Sequence, residues 1–73
     1  MHVRAADGLP DALRLVLETD PLVPADQIGI RAHDGVVTLE GLVIREEERR
    51  RAEFDAWCLF GVKNVINRIE VER

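Results

Sequence analysis

The stretch Asp34-Gly35-Val36-Val37-Thr38-Leu39-Glu40-Gly41-Leu42-Val43 decides the fold. Asp-Gly is a hairpin signal, because both central positions of the favoured two-residue turn need positive φ. Behind it, Val37, Leu39, Gly41 and Val43 alternate with Val36, Thr38, Glu40 and Leu42, the period of a strand with two unlike faces. Ahead of it, Ile28, Ile30 and Ala32 alternate in the same way with Gly29, Arg31 and His33. The turn thus joins two strands, which a short hairpin forces to run antiparallel.

Downstream, Arg45 to Phe60 has helical character. Glu46, Glu47 and Glu48 stand in its first turn, where negative charge suits the helix dipole. Glu46–Arg50, Glu47–Arg51 and Arg49–Glu53 have the spacing of i, i+4 ion pairs. Gly61 is a natural helix stop, and Lys63 to Val71 then alternates Val65, Asn67, Ile69 and Val71 against Ile66, Arg68 and Glu70. Upstream, Leu9, Leu13, Val16 and Leu17 form one apolar helical stripe, with Pro10 suited to a helix start and Arg14–Glu18 as an outward pair. That helix should stop near Thr19, because Pro21 disfavours helical geometry at Asp20. Leu22 in the connector is expected to tuck back under it. Residues 1–8 read as a flexible lead-in, and residues 9–73 as one domain.

The order is αββαβ. An apolar sheet face and two amphipathic helices make a two-layer α/β sandwich of the α+β kind, with both helices on one face of a three-stranded mixed sheet. The strands flanking the second helix should be parallel. The pattern leaves the central strand open.

Composition narrows the function classes. With 47 % apolar and 33 % charged residues the chain is not a disordered one. One cysteine, Cys58, rules out an internal disulfide framework. His2, His33 and Cys58 lack the spacing of a zinc site, so no metal or other cofactor is expected. A net charge of −4 disfavours nucleic acid. Arg49-Arg50-Arg51 does not reverse this, since glutamates flank it and a mixed-sign run reads as a solvated face. No two glycines have the Gly-x-x-Gly spacing that would clamp an RNA backbone. There is no serine, and no nucleophile, base and orienting group stand together, so no catalytic residue is assigned and the expectation is a non-enzyme. Cys58, in a helix interior, reads as a small buried or half-buried residue. No apolar run is long enough to span a membrane and no secretory signal is visible. A cytoplasmic location is expected for the chain as it stands, and a periplasmic or envelope one if it is part of a longer protein.

Residues 11–71 resemble a BON domain, the bacterial osmotic-shock and nodulation module. The resemblance lies in Asp20-Pro21, Ile28-Gly29-Ile30, the run from Asp34 to Val43, Glu48, Ala52 and Ala56, and then Gly61-Val62, Val65, Asn67 and Val71. It implies an αββαβ sandwich without known catalysis, phospholipid or membrane association, and a place in osmotic-stress, pore, channel or potassium-binding proteins. This chain holds a single copy, whereas the family often occurs in tandem. Asp55 stands where BON sequences more often carry an aliphatic residue.

At 100° per residue, Ala52, Ala56 and Leu59 fall on one face of the second helix, and Phe54, Trp57 and Cys58 on the other. Two orientations are open. In one, the alanines face the sheet, letting the helix approach Gly41, and Phe54 and Trp57 with Phe60 form a contact patch for a protein partner, membrane phospholipid or a second copy in a homodimer. In the other, the rings are core and the alanines meet water. Asn67, on an otherwise apolar face, should be bonded to backbone. The outer sheet face should carry Arg31, His33, Thr38, Glu40, Arg68 and Glu70, a set suited to a small ion or polar ligand or to plain solvation. The expected function is a binding or association module. The alternatives are a regulatory domain with a ligand on the open sheet face and a structural oligomerisation unit.

Overall fold

A computed structural model describes residues 5–72, with side chains described over residues 10–72. Its elements are α1 (Ala5–Thr19), a 3-10 turn (Ala25–Gln27), β1 (Ile28–His33), β2 (Val36–Val43), α2 (Glu46–Trp57) and β3 (Asn64–Val71). The sheet order is β1-β2-β3, with β1 antiparallel and β3 parallel to β2. The fold is therefore the expected α+β arrangement in the order αββαβ, and β2 is the central strand.

The hairpin forms as its residues require: Asp34 and Gly35 have φ of 50° and 81°, the left-handed pair of a tight turn. This sets His33 opposite Val36 and Ile30 opposite Leu39. In the parallel pair, Leu39 meets Asn67 and Glu40 meets Arg68. Leu13 and Leu17 of α1, Ala52 and Ala56 of α2, and Val37 and Leu39 of β2 are wholly buried and close the core from both layers.

Four local expectations are corrected. First, α1 begins at Ala5 and runs through Pro10, so Ala5–Gly8 is helix and not lead-in; residues 1–4 lie outside the described residues. Ala5 and Ala6 are strong helix formers that extend the helix beyond the proline. Second, Leu22 is exposed and Val23 is buried. The turn after α1 explains this: Leu22 N–H donates to Asp20 Oδ1 at 3.0 Å and Val23 N–H to the Asp20 carbonyl at 3.1 Å, which swings Val23 inward. Third, Gly41 is small for the backbone of Gln27, at the end of the 3-10 turn that leads into β1, and not for α2. Its φ is 148°, and an added Cβ would lie 2.1 Å from the Gln27 carbonyl oxygen. Fourth, α2 ends at Trp57, three residues before Phe60.

Three expected ion pairs, Arg14–Glu18, Glu47–Arg51 and Arg49–Glu53, are also replaced. Arg14 donates to the backbone carbonyls of Ala25 at 3.3 Å and Ile28 at 3.0 Å, tying α1 to the start of β1. Arg51 bridges to Asp20 at 2.8 Å, outside its own helix. Glu46 does take Arg50, at 3.4 Å, and it also holds Arg49 one turn away. The Arg49 guanidinium keeps the Glu46 carboxyl below the usual carboxylate range.

Candidate association surface on the second helix

The orientation of α2 is set by residue size. Ala52 and Ala56 are fully buried, so the helix lies close on the sheet, and side chains a third of a turn or more away point outward. Phe54 is 56 % exposed and Trp57 47 %. Phe60, in the turn that follows the helix, is 91 % exposed. Phe54 lies under the Arg51 guanidinium, 5.3 Å from ring centroid to Cζ, a cation–π distance. Phe54 and Trp57 thus stand on the outer side of α2, with Phe60 exposed in the turn beyond its C-terminal end. Cys58, the C-cap residue, is exposed and not half-buried, because the helix has already ended there.

Asn67 bonds as its position requires. Its Nδ2 donates to the Arg49 carbonyl at 3.1 Å, and its Oδ1 accepts the Ile69 N–H at 3.0 Å. It sits at the α2–β3 contact as a structural residue.

The outer sheet face carries the second residue set. Strand alternation and register place Arg31, Thr38 and Ile66 in one row, Glu40 beside Arg68 in the next, and His33 beside Val36 near the hairpin. Arg31 reaches Glu40 at 4.0 Å and His33 reaches Asp34 at 3.2 Å, with Glu40 half-buried and the other three exposed. A shallow depression of about 610 Å³ is lined by Arg31, His33 and Thr38, together with Ala32, Asp34 and Val36. Glu40 and Arg68 do not line it. Among the described residues no group of three or more His, Cys, Asp and Glu side chains is placed to hold a metal ion.

Two features escape the sequence. Leu42 and Ile44 are exposed beside Glu48 and Glu72 at a smaller depression of about 300 Å³. The other feature is a pair of acids. Asp55 is only 6 % exposed, on the inner side of α2, and it faces Asp20 from the end of α1. Burial and the neighbouring Asp20 push the Asp55 carboxyl up from 3.8 to about 6. The facing Asp55 carboxyl, with the bonds from the Arg51 guanidinium and the Leu22 N–H, holds Asp20 down at about 2. The departure of Asp55 from an aliphatic residue was the visible signal. Its partner, 35 positions away by subtraction of 20 from 55, was not.

A filled core between two helices and a three-stranded mixed sheet, in the order αββαβ, defines a small two-layer α+β domain. The BON domain family profile matches residues 7–73, and the chain belongs to that family. The family is one of generally non-catalytic modules known for phospholipid and membrane association. No curated protein matches the chain. No helix among the described residues is long and apolar enough to cross a membrane.

Proposed function

We propose that this BON domain is a non-catalytic association module that docks on a phospholipid surface or a membrane-linked partner through Phe54, Trp57 and Phe60. The observation that carries this reading is the exposure of all three rings above a core that is already closed by Ala52 and Ala56. Phe54 and Trp57 on an otherwise charged helix, and Phe60 after it, lie outside the closed core, and Trp and Phe suit a surface that is apolar on one side and wet on the other. The exposed Arg50 on the same helix supplies donors for phosphate oxygens, while the net charge of −4 keeps long-range attraction weak.

Flotation with phosphatidylethanolamine–phosphatidylglycerol vesicles tests it. Trp57 is the sole tryptophan, so its emission reports the contact directly. Co-flotation with a blue shift is the expected result, with the shift lost in Phe54→Ser/Phe60→Ser, which keeps the fluorophore, and co-flotation lost in Phe54→Ser/Trp57→Ser. Absence of flotation, with concentration-dependent mass in light scattering that Trp57→Ala abolishes, would instead favour the self-associating form of the same surface.

A second reading draws on the depression beside Arg31, His33 and Thr38: a regulatory domain that takes a small anion or polar ligand on the open sheet face. A rise in melting temperature with inorganic phosphate or a dicarboxylate, removed by Arg31→Gln, is its test.

A further inference from the structure

The junction between the end of α1 and the middle of α2 contains one cation for two buried carboxyl groups. The Asp20 and Asp55 side chains are each 8 % exposed, and Arg51 lies over both. Arg51 Nε is 2.8 Å from Asp20 Oδ2 but 3.6 Å from Asp55 Oδ1, so its bond goes to Asp20. Asp55 Oδ2 is buried and meets no donor. What faces it from the α1 side is another carboxyl, Asp20. From its own helix comes Arg51, with Cys58 the next ionisable group beyond. The sheet's inner face offers only uncharged residues between Ile28 and Val71. A buried carboxylate oxygen without a donor is strongly unfavourable, and a proton held on Asp55 and donated to Asp20 removes that deficit.

We propose that Asp20, Asp55 and Arg51 form a proton-operated clasp that closes the α1–α2 junction while one proton is shared between the two acids and loosens it when that proton leaves. The clasp stands apart from the lipid-docking reading and does not depend on it. With the proton in place the site holds one negative and one positive charge. Without it, two anions compete for a single half-exposed guanidinium, and the turn at Asp20, which also orders Leu22 and Val23, carries the repulsion.

The sign follows from proton counting. The folded pair holds one proton between about pH 2 and about pH 6, while the unfolded chain releases both near 3.8. Between about pH 4 and 6 the folded state binds more protons, so stability falls as pH rises through that window and levels off above it.

Carboxyl-detected NMR titration of the intact chain, with amide-exchange protection factors for Leu22 and Val23, is the test. Asp55 should titrate near pH 6, and protection at Leu22 and Val23 should fall as it ionises. The melting temperature should drop by roughly 5–10 °C from about pH 4.5 to 7. In Asp55→Asn both pH effects should disappear. Asp55 titrating in the ordinary carboxylate range overturns the clasp, and that result needs no variant to fold. So does an unchanged pH profile in Asp55→Asn.

Discussion

The side-chain amide of Asn67 bonds the backbone of α2 at Arg49, with Nδ2 3.1 Å from the Arg49 carbonyl oxygen. The same side chain turns its oxygen to the Ile69 N–H, on the edge of β3 that β2 does not use. Asn64 does likewise for the Val65 N–H at 2.9 Å. Two outward donors of an edge strand are thereby occupied within the chain.

Asn67→Ala should therefore do two things. It leaves the partly buried Arg49 carbonyl without this donor and should cost about 1–3 kcal/mol in urea unfolding. Combined with Asn64→Ala it uncovers the β3 edge, and the double variant should associate with rising concentration in light scattering where the parent does not gain mass through this strand. Equal stability of Asn67→Ala and the parent would remove the bridging role.

Gly41 and Gly29 lie on neighbouring strands and predict opposite outcomes. Gly41→Ala would bring Cβ to 2.1 Å from the Gln27 carbonyl at a φ of 148°, so it should destabilise by more than about 3 kcal/mol or prevent folding. Gly29→Ala meets only the Glu40 carbonyl at 3.8 Å, an ordinary contact, and should be neutral or slightly stabilising. Thermal denaturation of the two variants decides the point.

The orientation of α2 makes its two faces respond differently. Ala56→Leu forces bulk into a closed core and should cost about 1–3 kcal/mol. Phe54→Ser removes a largely exposed ring and its contact with Arg51, so the loss should stay below about 1 kcal/mol while vesicle binding falls. A large stability loss in Phe54→Ser with none in Ala56→Leu would mean that the helix is turned the other way.

Asp20 governs the acid limb of stability. Its folded-state carboxyl, stabilised by the facing Asp55 carboxyl and the bonds from Arg51 and Leu22, sits near 2, below its ordinary 3.8. A depressed carboxylate contributes stability that is present above the unfolded value and is lost as pH falls through the folded one. Asp20→Asn should thus lower the melting temperature near pH 4 and flatten its decline between about pH 4 and 2. A parallel decline in both proteins, measured by circular dichroism, would contradict this.

Arg14 joins α1 to β1 through the Ala25 and Ile28 carbonyls. Arg14→Met keeps the aliphatic stem and deletes the donors, so a loss of about 1–3 kcal/mol is expected in urea unfolding. A change of Glu18, the apparent helical partner, should matter little.

Local pattern alone determined the hairpin at Asp34-Gly35, the alternation that makes β2 amphipathic, the αββαβ order and the alanine face of α2. Each rests on residues close in the chain, where turn chemistry and periodicity act directly. Tertiary structure decided what distant residues do to one another: β2 as the central strand, Arg51 leaving Glu47 for Asp20, Gly41 making room for Gln27, Val23 replacing Leu22 in the core. It also placed Asp20 and Asp55 together, so that two acids far apart in the sequence share one site. Charge, burial and hydrogen-bond supply depend on neighbours that only folding assembles, and periodicity along one element carries no record of them.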